Sequence, residues 1–164
     1  MKNRRSTYFY IGILLLIFSC QSEKEKLIQT QLDKIVGQWK IDSFEPTSTA
    51  PNEFKGLVKS GEFKFSRCRA KNIRPSNSLC NAGIQLNDEI YDLAIRFDDY
   101  FTFSFGPISK DGTGNVVYSK DVVLLMQLMN GEWELTVSNN TLIGKQVANP
   151  GNPNLLSSFT ATRQ

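Results

Sequence analysis

The sequence predicts an all-β protein, an antiparallel up-and-down β-barrel of roughly eight to ten strands after a short N-terminal helix. Three observations carry that prediction. Beyond residue 36 the apolar residues alternate with a period of two, the mark of strands with one buried face. The alternating runs are separated by short Asn, Asp and Gly turns, so neighbouring strands pair as hairpins. A meander of this kind stays an open sheet with vulnerable edges or closes on itself, and the length of the chain and the regular spacing favour closure.

The elements follow in order from the N-terminus. Lys2, Arg4 and Arg5 form a positive start, and Tyr8 to Phe18 is an uncharged apolar run. That run has about eleven residues, too few for the roughly 20 of a spanning helix, so it reads as the core of a signal peptide over 1–19. Ile17-Phe18-Ser19-Cys20 resembles the bacterial lipobox, with an aliphatic residue three before the cysteine and a small residue just before it. The resemblance implies that Cys20 carries the lipid, palmitate-type acyl chains included, and becomes the mature N-terminus, placing the protein on the bacterial outer membrane by a lipid anchor. An unprocessed anchor and an ordinary buried cysteine are the alternatives. "QSEKEK" after it resembles the acidic-polar tag that sends some Bacteroidetes lipoproteins to the outer face of that membrane. Its plain reading is a solvated tether over 20–26. Without Lys2, Arg4 and Arg5, the 19 basic residues fall to 16 and match the 16 acidic ones. A neutral chain gives no reason to invoke nucleic acid as a partner.

The remainder has the length of one domain, 27–164, with no second composition and no internal repeat. In "KEKLIQTQLDKIVGQW", Ile28, Leu32 and Ile35 share a helical face with Leu27 and Val36 beside them. Val36 to Phe44, Glu62 to Arg69 and Ala82 to Leu86 are the first candidate strands. Tyr91, Leu93, Ile95 and Phe97 share one parity, Asp98-Asp99 makes the turn, and Phe101, Phe103 and Phe105 continue the alternation on the next strand. In "LLMQLMNGEWELTVSNNTLIGKQV", Asn130-Gly131 predicts a hairpin between two strands and Asn139-Asn140 a second turn. Trp133, Leu135 and Val137 face one way, with Glu132, Glu134 and Thr136 opposite. Ser157 to Thr162 is the last candidate.

Gly37-Gln38-Trp39, directly after the helical segment and at the start of the first strand, resembles the Gly-x-Trp of lipocalins. The whole mature chain is similar to the lipocalin-like lipoproteins of Bacteroidetes, especially in "VGQWKIDSF" and "GEWELTVSNNTLIGKQ". The resemblance implies a barrel whose closed end is packed by Trp39, entered through a sharp turn at Gly37, with the basic Arg163 lying over the indole. A second lipocalin signature, Thr-Asp-Tyr in a later loop, is absent, and "DDY" at Asp98 to Tyr100 is a hairpin turn. A nonlipocalin antiparallel barrel or sandwich is the other fold in view.

Cys68 and Cys80 are an even pair once Cys20 is lipidated, and in an exported chain they predict a disulfide. A reactive thiol pair or a metal site is the alternative, although the spacing matches neither Cys-x-x-Cys nor any zinc pattern.

Catalytic residue types are scarce. The chain has no histidine, which removes Ser-His-Asp and Cys-His systems and every His-liganded metal site. No phosphate loop or dinucleotide glycine pattern occurs. Asp88-Glu89 and Asp98-Asp99 fall at turns and Glu132/Glu134 on a polar face, which leaves only a glycosidase-like pair from distant strands as an open possibility. The expectation is a protein that is not an enzyme, with no catalytic residues, cofactor or metal. Its expected role is to bind a small hydrophobic ligand inside the barrel, with Tyr91, Leu93, Ile95, Phe97, Phe101, Phe103 and Phe105 as inward walls; plain core packing is the other fate of these seven. Phe54 and Leu57 in "EPTSTAPNEFKGLVKSGE" are expected to pack as a lid over the mouth. The alternative function is an interaction module: a filled barrel whose loops, that one and "GPISKDGTGNVVYSKD", meet an envelope or host protein.

Overall fold

The period-two runs become eight strands that close into one antiparallel barrel in sequential order. The computed structural model describes residues 23–70, 78–107 and 119–164. The expected signal peptide and Cys20 lie outside them, as do most of the Cys68–Cys80 loop and of "GPISKDGTGNVVYSKD". A helix, α1 (23–35), leads into β1 (Gly37–Pro46). The other strands are β2 (Gly61–Ser66), β3 (Asn81–Leu86), β4 (Glu89–Phe97), β5 (Phe101–Pro107), β6 (Gly131–Ser138), β7 (Thr141–Ala148) and β8 (Ser157–Arg163). β8 returns to pair with β1 over a register running from Trp39↔Arg163 to Pro46↔Ser157, so no edge is left open.

The turns sit where the sequence puts them. Asn87 and Asp88 both adopt positive φ in the β3–β4 turn, and Asn139 does so between β6 and β7; short polar side chains tolerate that conformation. The β4–β5 register closes at Phe97↔Phe101, around the Asp98-Asp99 turn.

The segment before Asn130 departs from expectation. "LLMQLM" is not a strand, and Asn130-Gly131 is not a hairpin turn. Lys120–Met129 is a helix, α2, buried through Leu124, Leu125, Leu128 and Met129. The positions i, i+1, i+4 and i+5 make a helical stripe that a run of large apolar residues conceals. Ser119 caps the helix, accepting a hydrogen bond from the Val122 amide, and Asp121 sits in its first turn. Asn130 is its C-cap, donating its own amide to the Met126 carbonyl.

α1 begins at residue 23 and so takes in 23–26, which the sequence reading gives to the tether. Leu32 and Ile35 are buried and Ile28 is partly so, as their spacing predicts, whereas Leu27 falls off that face and is 70% exposed. The Cys68–Cys80 disulfide is present, with Cα atoms 4.0 Å apart. It clips the β2–β3 connection at the α1 end, a constraint of about 3 kcal/mol by loop entropy for a loop of this size. α1 is tied to the same connection by Gln29, which donates to the Cys68 carbonyl (3.1 Å) and accepts from the Ala70 amide (2.8 Å).

Candidate functional site

The barrel has two ends, and the same local device closes both. At the α1 end the chain leaves the helix at Ile35, turns through Gly37 at φ 141°, and buries Trp39 completely. The indole N–H donates to the Ile35 carbonyl at 2.7 Å, satisfying one of the acceptors that a helix C-terminus leaves open. Arg163, opposite Trp39 in the β1–β8 register, lays its guanidinium carbon 4.3 Å from the ring centroid and donates to the Lys34 carbonyl at 2.9 Å. A Cβ at Gly37 would touch that guanidinium. Gly37, Trp39 and Arg163 are thus brought together at this end of the barrel.

At the other end, α2 stops at Met129, Gly131 turns with φ 137°, and Trp133 is completely buried. Its indole donates to the Met129 carbonyl at 2.9 Å. Gln146, opposite Trp133 in the β6–β7 register, donates to the Asn130 carbonyl at 2.8 Å. Here Gly131 is obligatory, because a Cβ would collide with the Ala148 carbonyl oxygen. A helix followed by Gly-x-Trp therefore occurs twice, with a cross-strand partner reaching each helix end. The sequence reading found no internal repeat and missed the second unit, Gly131-Glu132-Trp133. The signal was there: a second Gly-x-Trp at the start of a strand.

Between the two ends the lumen is occupied by side chains. Of the seven expected walls, Tyr91, Leu93, Ile95, Phe101, Phe103 and Phe105 are buried and Phe97 is half-buried. They pack on one another and on rings from other strands. Tyr91 lies 4.7 Å from Phe105 and Phe97 the same distance from Phe101, between ring centroids. Phe103 stacks on Trp133 at 5.6 Å, Trp133 meets Phe159 at 5.4 Å, and Phe159 meets Phe63 at 4.7 Å. Phe159 also lies against the bare backbone of Gly144, where a Cβ would overlap its ring. Phe54, in a 3₁₀ turn (Asn52–Phe54), is buried, and Leu57 packs against the core. Glu53 beside it pairs with Lys120 of α2 at 3.2 Å.

The weak seam of the barrel lies between β5 and β6. They share three register pairs, Phe101↔Trp133 to Phe103↔Gly131, the shortest register of the eight. Above it α2 stands in for the missing strand, and the Asn130 side chain accepts from the Phe105 amide at 2.6 Å as a strand partner would. On the outer side of this seam is a cleft of about 590 Å³ between α2, β5 and the β7–β8 connection. Phe103, Val123, Met126 and Pro150 give it apolar walls; Thr102, Ser104 and Gln127 add neutral polar groups; and among the described residues no charged one lines it. Asn149 braces its rim, donating to the Gln127 and Leu155 carbonyls and accepting from the Gly151 and Asn152 amides. Sequence reasoning missed this cleft because it depends on α2.

Among the described residues, two buried polar atoms near the α2 end have no protein partner, Oε1 of Gln146 and Oγ of Ser157. The phenol of Tyr91 donates to Glu89 at 3.0 Å, and burial together with that carboxylate pushes its pKa up to about 12. Asp88, Glu89, Asp98, Asp99, Glu132 and Glu134 are exposed. Among the described residues no group of three or more His, Cys, Asp or Glu side chains is placed to hold a metal ion, and no helix is long and apolar enough to cross a membrane.

Comparison with family models, with curated proteins and with solved structures finds no match.

Proposed function

We propose that this chain is a lipid-anchored, lipocalin-like envelope protein that binds rather than catalyses, taking a small uncharged amphipathic molecule in the cleft beside α2. The localisation rests on the leader and Cys20 in the sequence. The binding reading rests chiefly on one observation: packed rings occupy the lumen, while the cleft at the β5–β6 seam is a concave surface of about 590 Å³ with apolar walls. Its size is within the range of small-molecule sites, and apolar walls with a few fixed polar groups suit a hydrocarbon body carrying a neutral hydrogen-bonding head. A charged ligand would find no countercharge among the described lining residues.

The test is native mass spectrometry of the chain from Gln21 onward, offered a pool of uncharged lipids and sterol-like amphipaths. The wild type is expected to take up one molecule. Ser104→Trp, an exposed position that would fill the cleft from β5, is expected to lose it while keeping the wild-type melting temperature. Uptake that survives Ser104→Trp but is lost on changing an inward ring would return the site to the lumen. No uptake by the wild type would favour the interaction module, with a protein partner at the loops.

A further inference from the structure

We infer that the α1 end of the barrel is a lipid-contacting face, with Leu27 and Tyr100 at the headgroup boundary, so that the α2 cleft is presented away from the membrane. The inference rests on the reading of Cys20 as the lipidated residue. Three Cα–Cα steps separate Cys20 from Glu23, which span at most about 11 Å however the chain runs. The first residue of α1 is therefore held close to the bilayer surface, and Leu27 lies about 6 Å further along the helix axis.

What stands at that level is suited to it. Leu27 is 70% exposed, the largest exposure among the large apolar residues, and Tyr100 is 44% exposed at the tip of the β4–β5 hairpin. The two belong to one surface. Lys24 of α1 pairs with Asp98 of the hairpin at 3.5 Å, and Gln31 lines a small cleft together with Asp99 and Tyr100. Positions 24, 27 and 31 follow one helical stripe, so Leu27 is carried on the side of α1 that meets the hairpin tip. An aliphatic side chain beside a tyrosine is a pairing favoured where hydrocarbon gives way to water.

Charge bears on the kind of lipid. On this end Glu23, Glu25, Asp33, Asp98 and Asp99 stand among Lys24, Lys26, Lys34, Arg67, Arg69 and Arg163, all of them exposed. The two signs nearly balance, so the face presents no single-sign patch to draw it to an anionic surface, and zwitterionic headgroups suit it. The opposite end holds α2, the Asn87-Asp88 turn and exposed Ile90, and the barrel axis carries it away from the anchor.

The experiment uses the full lipidated chain floated with phosphatidylcholine vesicles whose acyl chains are brominated near the headgroup. Leu27→Trp and Ile90→Trp each add one exposed indole to the two buried ones. The added emission of Leu27→Trp is expected to fall by about half or more in the brominated vesicles, that of Ile90→Trp to stay unchanged, and neither result to depend on salt. Flotation without quenching at Leu27, or equal quenching at both, overturns the orientation while leaving the anchor intact. Failure of the wild type to float, or flotation undiminished in Cys20→Ser, overturns the anchor and the inference with it. If the Cys20→Ser form of Leu27→Trp instead shows a concentration-dependent blue shift in vesicle-free buffer, the face is an interface between copies of this chain and the lipid assignment is wrong.

Discussion

Gly144→Ala measures directly whether the lumen is full. A Cβ at this position would lie 2.7 Å from Cδ1 of Phe159 and nearer still to two other atoms of that ring. Carbon atoms rest at about 3.5–4.0 Å, so the ring must retreat by about 1 Å or more. It has nowhere to go, since Phe63 lies 4.7 Å away, Trp133 5.4 Å and Phe44 6.3 Å between centroids. Overpacking of this kind costs about 1–3 kcal/mol. Restricting the unfolded chain returns about 0.4–1 kcal/mol, leaving a net loss of about 0.5–2 kcal/mol, or roughly 2–6 °C at about 3 °C per kcal/mol. Urea unfolding of the chain from Gln21 onward reads the change, and a double-mutant cycle identifies its cause. Phe159→Leu alone should lose roughly 1–3 kcal/mol, less than a full truncation to alanine. In the Gly144→Ala background the same change should cost less by at least about 0.5 kcal/mol, because the shorter side chain relieves the clash. If Gly144→Ala is as stable as the wild type and the two changes simply add, Phe159 has free space to move into. The filled-lumen reasoning then fails.

Two further outcomes follow from the ends of the barrel. Trp39→Phe and Trp133→Phe should each lose about 1–3 kcal/mol, since each strands a helix-end carbonyl that the indole now satisfies; Arg163→Met should cost less in the Trp39→Phe background than in the wild type, because the cation has lost its indole. Tyr91 titrates higher in the folded chain, pushed up to about 12 by burial and by Glu89 and Asp121, so its contribution is fully present below about pH 10 and lost as pH rises through about 12. Urea midpoints at about pH 9 and pH 11 should therefore fall further for the wild type than for Tyr91→Phe.

The strands were legible because each has one face in the lumen and one in water, and burial on alternate residues leaves a mark that needs no tertiary knowledge. Tyr91 to Phe97 and Phe101 to Phe105 show it plainly, and the asparagine and aspartate turns fixed the hairpins. α2 was not legible for a physical reason. It is pressed against the barrel over Leu124, Leu125, Leu128 and Met129, so its sequence reads as a continuous apolar run rather than an amphipathic one. Asn130-Gly131 then supplied a false hairpin signal, although the same dipeptide serves equally well to end a helix and turn sharply into a strand. The Gly37, Trp39 and Arg163 cluster was legible only through the lipocalin resemblance; nothing local in the sequence brings residue 163 to residue 39. The cleft could not be found at all without the helix that forms one wall of it.

The two Gly-x-Trp units differ in what faces the tryptophan, and the difference bears on which end is adaptable. At the α1 end the cross-strand partner is a guanidinium, which covers the indole and bonds the helix end at once. At the α2 end it is the Gln146 amide, whose nitrogen bonds the helix end while its buried oxygen is left without a protein partner, as is the hydroxyl of Ser157. Unpaired buried acceptors cost free energy, and the neighbouring β5–β6 seam has the shortest register in the barrel. Stability is thus concentrated at the end tied to α1 and the disulfide. The α2 end is held by neutral amides and the exposed Glu53–Lys120 pair around a cleft whose described lining carries no charge, and such an end can repack around a small molecule at low cost because, among the described residues, no buried ion pair has to be broken. On the proposed reading, a lipid anchor beside the rigid end and a binding cleft beside the adaptable one would divide the two tasks between opposite ends of a single filled barrel.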